Sequence, residues 1–105
     1  MSQIGDRIGA LLSATRDEVQ LLGYGVYAGE AIPDAAAGGM AELVRSAGMT
    51  NPKLVLDNGQ VVWGCECWWG PEAEVRQRVA QYPRVSQADI EAVRRPDGKK
   101  PGGAA

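Results

Sequence analysis

The feature that most constrains the fold is the pair Asn58-Gly59, which lies between KLVLD at 53–57 and QVVWG at 60–64. Asn-Gly is the preferred pair for a two-residue type I′ turn between antiparallel strands. We therefore predict a β-hairpin of residues 53–57 and 60–69, with Leu54 opposite Trp63. Alternation then places on the inward face the side chains of Leu54, Leu56, Val61, Trp63, Cys65, Cys67 and Trp69.

The rest of the chain predicts three helices and two further strands. A helix over 5–16 is indicated by apolar residues at helical spacing. The other predicted elements are a strand over 18–28, a helix over 35–47, a helix over 71–82 and a strand over 84–93. After the first helix the order is β-α-β-β-α-β. The sequence therefore predicts an α+β fold of ferredoxin-like order, a small antiparallel sheet packed on helices.

The length of 105 residues allows one domain, which we assign to residues 1–93. Residues 94–105 are basic and rich in Pro and Gly, so they predict a flexible tail. Residues 1–92 hold seven Lys and Arg against twelve Asp and Glu, a net charge of −5. Phosphate backbones require clustered basic charge, so we expect no general nucleic-acid binding.

The sequence excludes several classes of site. It contains no histidine, which removes Ser-His-Asp and Cys-His catalytic arrangements and His-ligated metal sites. The N-terminus does not resemble a signal peptide, and no apolar run is long enough to span a membrane. We therefore expect a cytoplasmic, non-enzymatic protein without a metal or cofactor.

The two cysteines, Cys65 and Cys67, form a C-x-C motif in the predicted hairpin. In an extended strand their Cα atoms would be about 7 Å apart, which is too far for an easy disulfide. Core packing is the favoured interpretation, because free cysteine is among the most buried residue types. A metal site shared between two subunits and a reactive thiol remain alternatives.

The outward face predicts a ligand site. Glycines weaken strands, so several on one face indicate that something approaches the backbone closely. Aromatic side chains beside such a strip are suited to stacking a planar group, and a carboxylate and arginines would complete the site. The predicted ligand-binding residues are Gly23, Gly25, Tyr27, Gly64, Glu66, Trp68, Arg76 and Arg78.

These features lead to three hypotheses. The leading one is a bacterial or phage accessory protein that binds or sequesters a small nucleotide-like ligand, with the base on an aromatic ring and the phosphate on arginine. The alternative is an interaction or inhibitor module whose open sheet face is a protein or subunit interface. A third is a thiol- or metal-dependent protein using Cys65 and Cys67. An apolar open face also predicts a homodimer or higher homo-oligomer.

Overall fold

The backbone forms six strands and three short helices within the described residues, 2–34 and 39–94 of a computed structural model. A turn of 3-10 helix, Gly64–Glu66, separates the fourth and fifth strands. No helix in this part of the chain is long and apolar enough to cross a membrane. The elements are β1 (Arg7–Ala14), β2 (Glu18–Ala31), α1 (Gly39–Ser46), β3 (Asn51–Leu56), β4 (Val61–Trp63), β5 (Trp68–Pro71), α2 (Glu72–Val79), β6 (Arg84–Gln87) and α3 (Ile90–Arg94).

The sheet curls on itself. Its strand order is β4-β3-β2-β1-β5, with antiparallel neighbours, and β6 pairs in parallel with the start of β2. In a flat sheet β4 and β5 would be about 19 Å apart, yet only residues 64–67 join them. The ring of Tyr27 on β2 stacks on that of Trp69 on β5, with centroids 5.6 Å apart, although β1 lies between these strands in the order. The two edges therefore approach each other around an enclosed core.

The interior core and the helices cover both faces of the curled sheet. Helix α2 packs on the outer face of β1 and β2, where its Val75 is buried with Leu11 and Val19. Helix α1 covers the outer face of β4 through Ala41. The buried residues of the interior core are Ile8, Ala10, Leu22, Leu54, Leu56, Val62, Ala88 and Ile90.

The ferredoxin-like order is wrong, although the fold remains α+β in general. The predicted helix over 5–16 is strand β1, so the order is β-β-α-β-β-β-α-β-α. The strand is buried on both faces: Ile8 and Ala10 belong to the interior core, and Leu11 packs with α2. A strand buried on both faces shows a continuous apolar run, which periodicity does not distinguish from a helix.

The hairpin lies at the predicted place, but its register is wrong by one residue. Leu54 pairs with Val62, not with Trp63. The loop has three residues, because Leu56 N–H donates to Gln60 O at 2.8 Å and Gly59 N–H donates to Leu56 O at 2.9 Å. Gly59 has a φ of +92° and Asn58 has a negative φ. A type I′ turn needs positive φ at both positions, whereas a type I turn with a glycine bulge needs it at one.

The predicted strand over 60–69 is two strands at opposite edges of the sheet. β4 ends at Trp63 and β5 begins at Trp68. Val62 faces the interior core, whereas Trp63 lies on the other face beneath Ala41 of α1. Both are buried, at 0% and 2% exposure, because β4 is covered on both faces. The single inward face predicted for this segment is therefore wrong.

The remaining elements mostly confirm the predictions. The strand over 18–28 is β2, and the helix over 71–82 is α2 with a shorter extent. The helix over 35–47 is α1, and its predicted start at 35–38 lies outside the described residues. The strand over 84–93 is correct only for β6. Asp89 Oδ1 then accepts a hydrogen bond from Glu91 N–H at 3.0 Å, as an N-cap does, and α3 follows.

The predicted tail, residues 94–105, lies outside the described residues except for Arg94. That residue ends α3 and makes contacts described below.

Candidate binding surface

The structure divides the eight predicted ligand-binding residues among separate environments. The three glycines and Tyr27 contact the protein's own chain, and Glu66 lies in a largely buried ion pair. Trp68, Arg76 and Arg78 lie on the outer face of the sheet beside α2. The structure therefore does not bring all eight residues together, but it does bring Trp68 and Arg78 together on the outer face.

Two of the three glycines, Gly25 and Gly64, do permit a close approach, but the protein's own atoms make it. A Cβ at Gly25 would lie 2.1 Å from the carbonyl oxygen of Val55 on the neighbouring strand. A Cβ at Gly64 would lie 2.9 Å from the ring of Pro52. Gly23 has a φ of +145°, a conformation that side chains rarely allow. Packing of the chain on itself therefore accounts for Gly25 and Gly64, and the backbone conformation accounts for Gly23.

Tyr27 is engaged on one ring face and at its hydroxyl. Its ring is nearly parallel to that of Trp69, with an angle of 9° between the planes. The hydroxyl donates to Glu30 Oε2 at 3.0 Å. Desolvation of the phenol, and then its hydrogen bond to the Glu30 carboxylate, raise the pKa of Tyr27. This tyrosine supports the fold and does not lie beside Trp68.

Both carboxylate oxygens of Glu66 are occupied. Arg94 of α3 donates to them through Nε at 2.8 Å and Nη2 at 2.7 Å. The backbone N–H of Trp63 also donates to Oε1, at 3.0 Å. The side chains of Glu66 and Arg94 are 6% and 10% exposed. This bidentate pair ties α3 to the segment that crosses between the sheet edges.

Arg76 is stacked and neutralised. Its guanidinium carbon lies 4.0 Å from the centroid of the Tyr24 ring. Its Nε and Nη2 contact Glu72 Oε2 at 2.7 Å and 2.6 Å. The other oxygen of Glu72 accepts from Arg7 Nε at 2.8 Å, and Arg7 also binds both oxygens of Asp57. Hydrogen bonds from Arg7 are the main cause of the lowered pKa of both carboxyl groups.

Arg78 is stacked but not neutralised. Its guanidinium carbon lies 4.5 Å from the centroid of the Trp68 ring, and Trp68 is 45% exposed. Among the described residues, no carboxylate forms an ion pair with Arg78 and no group accepts a hydrogen bond from its side chain. Arg78 thus presents a positioned cation whose donors are unused within this part of the chain.

A groove begins at this pair, and we call it the Trp68–Arg78 groove. It has a volume of about 150 Å³ and follows the edge of β1 from Leu11 to Ala14, with Tyr82 as its other wall. The groove therefore combines a cation, two aromatic rings and a short stretch of strand edge. Such an arrangement can bind an anionic group next to an apolar one.

A larger cavity, of about 480 Å³, opens between the hairpin loop and the segment before α3. Its walls carry the side chains of Asp57, Asn58, Gln60 and Asp89. Gln60 Nε2 donates to Asp89 Oδ1 at 3.0 Å, and Asp57 is held by Arg7. The lining residues are neutral or acidic, so this cavity is a poor match for a phosphate.

The two cysteines are in environments that favour the packing interpretation. Cys65 packs against Trp63 beneath α1, and Cys67 packs against the interior core. Burial, followed by the nearby charge of Glu66, raises the pKa of both thiols, that of Cys67 to about 12. Such thiols stay protonated near neutral pH and are weak nucleophiles and metal ligands. Within residues 2–34 and 39–94, no three or more Cys, Asp or Glu side chains lie close enough together to hold a metal ion.

The sequence predictions missed the strand edge and Tyr82. The edge of β1 could not be anticipated once residues 5–16 were interpreted as a helix. Tyr82 did carry a signal, because it follows Arg78 by four positions at the end of a predicted helix, and residues four apart share a helix face.

The chain was also compared with protein-family models, with curated proteins and with solved structures. None of these comparisons found a match. Within the described residues, the Trp68–Arg78 groove combines an unpaired cation with aromatic rings and a strand edge.

Proposed function

We propose that this protein is a non-enzymatic binding module that takes an acidic segment of a partner protein into the Trp68–Arg78 groove. The observation that carries this proposal is the state of Arg78, which is held on an aromatic face without a carboxylate partner among the described residues. The proposal corresponds to the interaction-module alternative from the sequence.

Stacking prepares Arg78 for an anionic ligand. A long arginine side chain carries about 2 kcal/mol of rotamer entropy, part of which is lost on binding. An exposed cation–π contact contributes about 0.5–1 kcal/mol and restricts the side chain before the partner arrives. A carboxylate can then form two parallel hydrogen bonds to the guanidinium at a lower entropic cost.

The volume of the groove supports a partner segment over a nucleotide. Sites for small molecules and cofactors usually measure about 300–1,000 Å³. The groove, at about 150 Å³, has room for roughly one aliphatic side chain. A bound segment would place one side chain there and an acidic one on Arg78, whereas a nucleotide would leave most of its surface exposed.

Selection from a phage-displayed library of random dodecapeptides, with the full chain as bait, tests the proposal. We expect acidic peptides to be enriched on the parent protein and lost on Arg78→Glu and Trp68→Ala. Arg84→Glu is the matched control, because it makes the same change of charge on β6, outside the groove, and enrichment should persist.

Calorimetric titration with AMP and GMP tests the nucleotide hypothesis on the same variants. Nucleotide binding that depends on Trp68 and Arg78, without enrichment of any peptide, would refute the proposal in favour of a nucleotide ligand. Equal peptide enrichment on the parent protein and on Arg78→Glu would also refute it.

The localisation, origin and oligomeric state of this module are proposed from the sequence alone. We propose a cytoplasmic protein, acting as an accessory factor of bacterial or phage origin, and a homo-oligomer. Multi-angle light scattering over a range of concentrations measures the assembly. A strict monomer would remove the oligomer from the proposal without affecting the groove.

A further inference from the structure

We infer that the partner segment binds as an added β-strand on the free edge of β1, in line with β5 and antiparallel to β1. This inference rests on the proposed function and specifies the conformation and chemistry of the partner. The partner is an extended segment of another protein that carries an acidic residue and an aliphatic residue two positions apart.

The edge of β1 is only partly covered. β5 pairs with β1 from Ile8, opposite Pro71, to Leu11, opposite Trp68. Before Trp68 the chain turns away through residues 64–67 toward the other edge of the sheet. Within the described residues no strand pairs with this side of β1 beyond Leu11, and the Trp68–Arg78 groove occupies the vacant position.

The backbone at this edge is oriented for pairing. Thr15 N–H donates to Glu18 O at 2.8 Å across the β1–β2 connection, and Ala14 is opposite Val19 in the same register. Backbone groups of successive residues in an antiparallel strand point to opposite sides. Ala14 therefore directs its N–H and C=O away from β2, and its side chain is exposed. Unpaired edge groups of this kind are templates for an extended segment.

The side chains beside this edge determine what the added strand should carry. Leu11 and Trp68 are opposite each other on the outer face, the face on which α2 packs. Alternate side chains of an added strand would point toward the same face. One would meet the guanidinium of Arg78 and the next would enter the groove beside Tyr82. An acidic and an aliphatic residue at positions i and i+2 match these two surfaces.

Charge favours another protein over a second copy of this chain. If this edge paired with itself around a two-fold axis, both copies of α2 would lie on one side of the joined sheet. The two Arg78 side chains would then approach each other, and like charges across strands are destabilising. An acidic segment supplies the carboxylate that Arg78 lacks among the described residues.

Backbone N-methylation tests the inference directly. Peptides enriched in the library selection are synthesised with one N-methyl group at a time and titrated by fluorescence anisotropy. Strand addition predicts losses of about tenfold at every second residue, where the N–H faces β1, and little change between them. Proline at Ala14, Ala14→Pro, removes the outward N–H and should weaken binding similarly. The control Ala14→Gly keeps that N–H, and circular dichroism checks that each variant is folded.

The outcomes distinguish failure of strand addition alone from failure of the proposed function. Binding that needs Trp68 and Arg78 but shows no alternation in the N-methyl series would overturn strand addition and leave the proposed function standing. No enriched peptide would overturn both. A dimer of the parent protein that Ala14→Pro dissociates would identify a second copy as the occupant and overturn the inference. If Ala14→Pro does not fold, the N-methyl series on the parent protein still decides.

Discussion

Two arginines contact the short segment between Glu66 and Trp68, and the protein uses them in opposite ways. Arg94 is 10% exposed and donates to both oxygens of Glu66, so its charge is matched inside the fold. Arg78 rests on Trp68 at the surface without an ion pair among the described residues. A matched charge thus holds elements together, whereas an unmatched one remains available to a partner.

Removal of the matched arginine should have the largest effect. Arg94→Ala leaves the Glu66 carboxylate nearly buried without its counter-ion, and we expect a loss of about 3–5 kcal/mol of stability. Urea denaturation followed by tryptophan fluorescence measures it. The double variant Glu66→Leu/Arg94→Met leaves no buried charge and should recover much of the loss. A single variant as stable as the parent would show that the pair does not hold α3 in place.

Displacement of α2 should have the second largest effect on stability. It moves the helix that carries Arg78 and leaves the Glu66–Arg94 pair in place. A Cβ at Gly9 would lie 2.7 Å from Val75 Cγ1 and 2.8 Å from Val75 Cβ. Gly9→Ala should therefore push α2 outward, cost about 1–3 kcal/mol and weaken peptide binding. Gly9→Ala/Val75→Ala removes only the contact with Val75 Cγ1, because alanine keeps the Cβ and Tyr24 Cδ1 would still lie 2.9 Å from the new Cβ. The double variant should therefore regain little of the stability lost by Gly9→Ala. Unchanged melting and binding in Gly9→Ala would contradict this packing.

Loss of the unmatched arginine should barely affect stability. Arg78→Ala removes an exposed stacking contact, so we expect a change below about 1 kcal/mol together with loss of partner binding. Arg78→Lys keeps the charge without the planar donors and should bind with intermediate strength. Chemical denaturation and the peptide titration measure the two quantities. Destabilisation as large as that of Arg94→Ala would remove the distinction between the two arginines.

Acid should produce the smallest effect, through the ion pairs that Arg7 makes with Asp57 and Glu72. Hydrogen bonds from Arg7 lower the pKa of Asp57 and Glu72 below their ordinary values of 3.8 and 4.5. A carboxyl group with a lower pKa in the folded state stabilises the protein above its ordinary pKa. That stabilisation is lost as the pH falls from those values through the folded-state pKa. Asp57 is exposed and Glu72 is only partly buried, so solvent screens these pairs and the loss should be small.

Denaturation at a series of pH values checks the acid effect. The variant Arg7→Met should flatten the decline in stability below the ordinary pKa values, whereas Arg78→Met should not. An identical decline in the parent protein and in Arg7→Met would assign the acid sensitivity to other groups.

Several elements were predictable because their signals are local. β2, α2 and the position of the hairpin follow from residue types within a few positions of each other. β1 was not predictable, because packing on both sides removed the alternation that marks a strand. The hairpin register also escaped prediction, since Asn-Gly is compatible with a two-residue turn and with a three-residue loop.

The candidate site was predictable in its residue types but not in their arrangement. Trp68 and Arg78 were identified from their chemistry, and the structure brings them together. Glu66 was assigned to the same site because its counter-ion, Arg94, is 28 positions away along the chain. No pattern of neighbouring residues indicates that Arg94 will pair with Glu66.

The crossing between β4 and β5 also has a consequence for synthesis on the ribosome. Ile8 pairs with Pro71, so β1 is made 63 residues before the strand that covers part of its edge (71 − 8 = 63). At about 5–20 residues per second, β5 is therefore synthesised about 3–13 s after β1. The hairpins of β1–β2 and β3–β4 are closed by local contacts and can form earlier. The nascent chain therefore exposes more of the β1 edge than the finished protein does, and release of β5 from the ribosomal tunnel covers all but its last part.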